Sequence, residues 1–206
     1  MGAGCFPRFC YTGLMVIGVL AFQGDFSEHI AVLHSLHVPA IEVRSLSDLS
    51  KVGALIIPGG ESTVIAKFLE ETGVGKETTK RVKAETLSVY GTCAGAIVLS
   101  KKVTGKNSPR SLGLIDITID RNAYGTQLDS FEADIRVKGI QGKIPVSFIR
   151  APKITRVGKS VEVLAEHEGI PVLVRQGRVL TGTFHPEVRL AVRIHRLFLA
   201  RNEFGR

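Results

Sequence analysis

Residues 87–96, Leu87-Ser88-Val89-Tyr90-Gly91-Thr92-Cys93-Ala94-Gly95-Ala96, run from an apolar segment into a cluster of small residues with one cysteine at its centre. Leu87 to Tyr90 has the length and side-chain character of a buried strand, and Ala94 to Ser100 reads as the helix that follows it. Small residues on both sides of Cys93 fit a sharp strand-to-helix turn, where a larger side chain would collide with the turn or with a molecule approaching the sulfur. Such a turn projects its central side chain outward. The helix beyond it offers unpaired N–H groups and the positive end of its dipole, both of which favour a thiolate. A buried cysteine serving as a small hydrophobe is equally compatible with this stretch taken alone.

The same strand, loop and helix order recurs upstream. Val16 to Ala21 reads as a strand buried on both faces, and Asp25-Phe26-Ser27-Glu28 after it has the pattern of a capping box. Phe26, Ile30, Leu33 and Leu36 or His37 then fall on one helical stripe, and His37-Val38-Pro39-Ala40 ends that helix before a strand over residues 40–43. Ala54 to Ile57 leads through Pro58-Gly59-Gly60 into a helix striped by Val64, Ile65, Phe68 and Leu69. Alternating strands and helices predict an α/β fold, a three-layer sandwich with a mostly parallel, flavodoxin-like central sheet covered on both faces. Downstream, the alternating segments 131–137 and 161–167, and a hairpin over 171–184 turning near Gln176-Gly177, read as antiparallel additions to that sheet. A last helix, roughly 190–201, places Leu190, Ile194, Leu197 and Phe198 on one side.

With 206 residues, 44% of them hydrophobic, the chain can bury a full core and is expected to form one domain over 15–206. Residues 1–14 are expected to be an N-terminal extension without fixed structure. The longest apolar run, Leu14 to Phe22, has nine residues against the ~20 a membrane helix needs, so no membrane span is expected. Arg8 and this run imitate a secretion signal, but no small-x-small cleavage site follows, and Phe6 stands where N-myristoylation wants Ser or Thr. Cys5 and Cys10 lie in the extension, which leaves Cys93 alone in the body of the chain and implies neither disulfides nor zinc; a cytoplasmic home fits. The net charge of +8 is spread over Lys76, Lys80, Arg81 and Lys83, over Lys101, Lys102 and Lys106, and over Arg189, Arg193, Arg196 and Arg201. No aromatic residues interleave with these groups to stack bases, so solvated or protein-docking faces are expected rather than a nucleic-acid site.

In open α/β sheets ligands bind beyond the carboxyl ends of strands, where Cys93 is expected to lie. A cysteine nucleophile needs a base and a group to orient it. Phe184-His185-Pro186-Glu187-Val188 supplies both at the end of a strand over 179–184. Pro186 biases His185 toward an extended backbone, in which residues two apart share a side, so Glu187 can reach the imidazole and set its tautomer. The third element is Pro58-Gly59-Gly60-Glu61-Ser62-Thr63, whose glycines allow close backbone approach; the N–H groups of Gly60 and Ala94 are the candidate oxyanion donors. His29, His34, His37, His167 and His195 are read as ordinary helix or strand residues.

At these residues the sequence resembles the class I, or triad, glutamine amidotransferases. It is most similar to the branch that serves as glutaminase subunit of pyridoxal 5′-phosphate synthase. The resemblance runs from about Val16 to Phe198 and rests on GVLAFQGDFSEH, PGGEST, GTCAGA, RNAYGTQLDSFEAD, FIRAP and FHPE. It implies Cys93 as nucleophile, His185 as base and Glu187 as its orienting carboxylate, with glutamine bound by Gly60, Glu61, Ser62, Arg121, Ile149 and Arg150. It also implies hydrolysis of L-glutamine to glutamate and ammonia through a thioester. The ammonia would be channelled to a (β/α)₈-barrel synthase subunit in a dodecameric core, which makes pyridoxal 5′-phosphate from ribose 5-phosphate and glyceraldehyde 3-phosphate. No metal or organic cofactor is implied for this chain, pyridoxal 5′-phosphate being the product of the complex. Without the resemblance, Arg121 and Arg150 read as surface salt-bridging residues. Two segments depart from the family pattern, Gly125-Thr126-Gln127 and Val188-Arg189-Leu190, and both bear on the mouth of the site or the partner surface. A glutaminase serving another synthase, such as that for imidazole glycerol phosphate, and a cysteine peptidase or related hydrolase of similar fold remain alternatives.

Overall fold

The computed structural model describes residues 15–121, 130–189 and 191–200. The expected extension over 1–14, the Gly125-Thr126-Gln127 departure, Leu190 and Arg201 lie outside them. The first half of the chain comprises β1 (Ile17–Leu20), α1 (Phe26–Ser35), β2 (Ala40–Val43), α2 (Leu46–Ser50), β3 (Ala54–Ile57), α3 (Ser62–Glu71), α4 (Val74–Lys83), β4 (Ser88–Thr92) and α5 (Ala94–Leu99). The second half comprises β5 (Ser100–Thr104), β6 (Ile115–Asp120), β7 (Phe131–Arg136), β8 (Lys143–Phe148), β9 (Lys153–Val157), β10 (Glu162–His167), β11 (Ile170–Gln176), β12 (Val179–Gly182) and α6 (Val192–Ala200).

A seven-stranded sheet in the order β2-β1-β3-β4-β12-β11-β10 organises the molecule. Its strands β1 to β4 and β12 are parallel, β11 runs against them, and β10, antiparallel to β11, returns to their direction. The apolar runs of the central strands follow from burial on both faces. Ile17 and Val19 of β1, Ala54 and Ile56 of β3 and Tyr90 of β4 point into one core, shared with α1 and α6. Leu20, Leu55, Ile57 and Val89 point into the other, shared with α2, α3, α4 and α5. This is period-two alternation with both sides apolar.

The second half differs from the sequence reading in three places. Residues 131–136 do not join the central sheet; β7 pairs with β8 in a sheet of its own. Its burial alternates, with Ile135 inward and its neighbours exposed, as expected of a ribbon covered on one side. The hairpin strand β12 lies parallel to β4 rather than antiparallel, with Thr181 opposite Gly91 and Gly182 opposite Thr92. A third sheet, β5-β6-β9, has no counterpart in the sequence reading, and α5 stops at Leu99 because Ser100 already opens β5. Smaller differences fall on helix faces. Val64 is exposed, while Ile65, Phe68 and Leu69 are buried, and α1 buries His29, Val32 and Leu33 more deeply than Phe26 or Ile30.

Several basic residues behind the net charge have structural partners. The Arg81 guanidinium donates to the carbonyls of Leu49 at 2.6 Å and Val52 at 2.8 Å, tying α4 to the turn between α2 and β3. Arg193 donates to the carbonyls of Gln141 and Lys143, and Lys101 pairs with Asp116 at 3.1 Å. Among the described residues, no helix is long and apolar enough to cross a membrane.

The Cys93 turn depends on one contact. A Cβ placed on Gly95 would fall 2.0 Å from the Ile57 carbonyl oxygen, so α5 can press against the end of β3 only with hydrogen at that position. Gly95→Ala is therefore expected to lower unfolding stability by about 3 kcal/mol, the scale of an overpacked core, as read from denaturant midpoints at constant slope.

Candidate active site

Cys93 sits between β4 and α5 with φ 47° and ψ −104°, a conformation rare for any side chain bearing a Cβ. Its amide donates to the Gly182 carbonyl at 2.9 Å, and its carbonyl accepts from Ala96 and Ile97. The turn is thus held by β12 on one side and by the first turn of α5 on the other. The sulfur lies 3.9 Å from the Ile149 carbonyl oxygen.

His185 follows β12 by three residues and is fixed by an isolated bridge to Ser147, its amide donating to the Ser147 carbonyl at 2.8 Å. Its Nδ1 lies 2.7 Å from Glu187 Oε1 and 3.2 Å from Asp25 Oδ2. Burial works against charge on the imidazole, but hydrogen bonds to Asp25, Cys93 and Glu187 outweigh it and hold the group up at about 12. The ring is an imidazolium at neutral pH, with a proton on each ring nitrogen. Burial pushes the Glu187 carboxyl up, against the pull of His185. Asp25 is held down, first by its hydrogen bond to His185.

The Pro58-Gly59-Gly60 loop lies against this pair, since a Cβ on Gly59 would fall 2.4 Å from His185 Cε1. Gly24 packs equally closely on the same loop: its φ is +90°, and a Cβ there would fall 1.7 Å from the Gly59 carbonyl oxygen. Gly60 has φ +137°, and Ala94 opens α5 directly after Cys93. Glu61 caps α3, its Oε1 accepting from the Thr63 amide and hydroxyl and from Arg121 Nη2 at 2.9 Å. Burial opposes the Glu61 charge, but Thr63 and Arg121 prevail and its pKa is lowered. Ser62 is buried at the start of α3, whereas Ile149 and Arg150 are exposed after β8, Arg150 with φ 46°.

The structure thus brings Cys93, His185, Glu187 and the Gly59-Gly60 loop together, and separately pairs Glu61 with Arg121. Asp25 Oδ2, His185 Nδ1 and Glu187 Oε1 are also the potential metal-ligand cluster among the described residues, within 4.8 Å of one another. The 2.7 Å contact between Nδ1 and Oε1 is a hydrogen bond, which a metal on Nδ1 would have to replace.

Residues 19–203 match the SNO glutamine amidotransferase family. This chain belongs to that family. It is 49% identical over 184 residues to the pyridoxal 5′-phosphate synthase subunit PdxT of Thermus thermophilus, which covers 89% of this chain and 96% of the relative. It is 48% identical to the PdxT subunit of Pseudothermotoga lettingae, over 90% of this chain and 94% of that one. A crystal structure of a glutamine amidotransferase superposes with a TM-score of 0.86 at 48% identity, covering 92% of this chain and 99% of the other. The PurLQS structure from Thermotoga maritima, at a TM-score of 0.69 and 14% identity over 92% of this chain and 99% of that chain, shares the fold.

Within this amidotransferase fold four polar residues stand around the site that the sequence reading did not assign to it. Asp25 heads α1 as expected but makes no side-chain cap bond, because its carboxylate turns to His185 instead. His29, Thr92 and His195, all fully buried, form a polar chain behind Glu187. The one sign of it in the sequence is that His29 and His195 fall next to apolar positions of helical stripes, where a histidine has to find polar partners. In the Val188-Arg189 departure, Arg189 pairs with Glu132 of β7 and Val188 is exposed.

Two outcomes follow from the charges. Asp25→Asn removes the strongest of the contacts that raise His185, so the His185 pKa is expected to fall from about 12, as read by NMR titration of its ring nitrogens. Burial holds His195 down at about 4, against the nearby Ala191 carbonyl. Below pH ~6.5 the unfolded chain takes up a proton at this residue that the native protein refuses. Native stability should therefore decline from pH ~6.5 toward 4, by about 3 kcal/mol for this group at 1.36 kcal/mol per unit. The His195→Asn variant should show a flatter pH dependence in denaturant unfolding.

Proposed function

We propose that this protein is the glutaminase of a pyridoxal 5′-phosphate synthase, hydrolysing L-glutamine and passing ammonia to a (β/α)₈-barrel synthase subunit. The observation that carries the reading is the strained Cys93 turn set beside the imidazolium of a buried His185–Glu187 pair. Cys93 Sγ attacks the carboxamide carbon, and the oxyanion is met by the N–H groups of Gly60 and Ala94. His185 then gives its proton to the departing nitrogen and ammonia leaves a thioester. Water, deprotonated by His185, releases glutamate and restores the sulfur and the imidazolium. Glu187 holds the ring by Nδ1 so that Nε2 serves the reacting atoms. Glu61 and Arg121, a charge pair, suit the ammonium and carboxylate of the substrate's amino-acid end, with Ser62, Ile149 and Arg150 completing its site.

The partner is supported by the surface as well as by the relatives' names. Phe22, Val64, Ile149 and Val188 are large, apolar and exposed, and each lies in a segment just beyond the carboxyl edge of a strand or next to a catalytic residue. Exposed apolar groups beside a site suit an interaction face. The reaction of the whole complex would be that of a lyase, this chain contributing the hydrolytic half.

Glutamate release from glutamine, measured for the chain alone and with a pyridoxal 5′-phosphate synthase barrel subunit, tests the proposal. Release stimulated by the barrel and reduced at least ~10³-fold in Cys93→Ala is expected. No release in either condition, with the barrel bound and active on supplied ammonia, would overturn it. Stimulation only by the barrel of another synthase would reassign the partner.

A further inference from the structure

Glu187 meets His185 through one oxygen; the other, Oε2, is buried and makes no hydrogen bond. A carboxylate oxygen in that position is costly unless a donor faces it. A side-chain donor within reach is Nε2 of His29, 3.3 Å away, on a side chain with no solvent exposure. The same nitrogen lies 3.3 Å from Thr92 Oγ1, in the residue before Cys93. On the far side of the ring, His29 Nδ1 lies 2.9 Å from Nε2 of His195 on α6. One imidazole from α1 therefore touches the strand that carries the nucleophile, the carboxylate that orients the base, and the last helix.

We propose that His29 is a positioning residue of this site, donating from Nε2 toward Glu187 so that the carboxylate stays ionised and aimed at His185. The inference rests on the glutaminase reading for its kinetic consequence, but its chemical content is independent of it. The direction of the chain follows from the partners. A neutral His29 has one N–H to place. If the hydrogen were on Nδ1, the Nε2 lone pair would face the buried Glu187 carboxylate, setting two acceptors 3.3 Å apart. With the hydrogen on Nε2, His29 Nδ1 accepts from His195 Nε2–H, and the lone pair left on His195 Nδ1 lies near the neutral Ala191 carbonyl, which costs less than a lone pair facing a buried carboxylate. Burial first, then the charges of His195 and His185, hold His29 well below the usual imidazole range, so the ring is neutral at working pH. The titratable groups packed around it are Glu187 and His185 after β12, His195 on α6, Tyr90 on β4 beside His195, and Asp25 at the head of α1.

Three measurements test this. In ¹⁵N-histidine-labelled wild-type protein at neutral pH, His29 is expected as the Nε2–H tautomer; the Nδ1–H tautomer would overturn the proposal whether or not the chain hydrolyses glutamine. Gln places an amide nitrogen near the Nε2 position, whereas Leu fills the space without a donor. His29→Leu is expected to lower kcat for barrel-stimulated glutamine hydrolysis about 10- to 100-fold, the cost of a misplaced catalytic group, with KM changed less than about threefold. His29→Gln should recover most of that loss. Alkylation of Cys93 by iodoacetamide should slow in the Leu variant and not in the Gln variant, a readout that stands even if glutamine is not the substrate. Equal alkylation rates and kcat in folded His29→Leu and wild type would overturn the proposal, as would equal losses in the Leu and Gln variants. Should the Leu variant fail to fold, the wild-type tautomer and the Gln variant decide.

Discussion

The approach of Gly95 to the Ile57 carbonyl is the contact on which the site is built. It lets α5 begin against the end of β3, which forces the chain to reverse within one residue and leaves Cys93 at φ 47° and ψ −104°. Such a backbone persists only where its neighbours over-determine it. Here β12 contributes the Gly182 carbonyl to the Cys93 amide, while α5 contributes the amides of Ala96 and Ile97 to the Cys93 carbonyl. β12 then runs on for three residues to His185. The strand that restrains the nucleophile is therefore the strand that delivers its base, and their relative position is set by sheet register rather than by loop conformation.

Charge at the site is arranged by depth. Two carboxylates share Nδ1 of His185, but they are not equivalent. The Glu187 side chain is wholly buried, whereas that of Asp25 is 42% exposed. A buried carboxylate keeps its direction and is little screened, so Glu187 can determine the ring's orientation; a solvated one is screened and mobile, so Asp25 adds charge stabilisation without fixing geometry. This division explains why the imidazolium is so strongly favoured despite burial. It also explains why burial raises Glu187 while Asp25 is lowered.

Much of this was legible in the sequence because it depends on local pattern. The strand Leu87 to Tyr90, the small residues around Cys93 and the His185-Pro186-Glu187 spacing each follow from short-range sterics, and the structure realises all three. What escaped reading depends on which strands become neighbours. Residues 131–136 alternate as any half-buried strand does, and nothing in that alternation says that the partner is β8 rather than the central sheet. The hairpin after Ile170 was recognisable, but the parallel alignment of β12 with β4 arises from long-range register. Asp25 satisfied the pattern of a helix cap so well that its role toward His185, 160 residues on by numbering, was masked. His29 and His195 show in the sequence only by their place beside apolar stripes, since a buried histidine declares its purpose only through the partners it meets.

The parallel placement of β12 also separates two tasks that a site of this kind must perform. On the inner side lie Glu187, His29, Thr92 and His195, without solvent and packed between α1, β4 and α6. On the outer side lie Glu61, Arg121, Ile149 and Arg150, partly or fully exposed and carried by segments that connect the sheets. A polar group in the inner layer can alter the direction or charge of His185 without meeting a substrate, and a group in the outer layer can meet a substrate without altering His185. The consequence is an orienting apparatus that is complete before any ligand arrives, since the hydrogen bond from His185 to Glu187 and the bridge from His185 to Ser147 are both formed by the chain alone. Changes at the mouth, such as the Val188-Arg189 departure with its ion pair to Glu132, are then free to tune docking and access while the buried pair keeps its geometry.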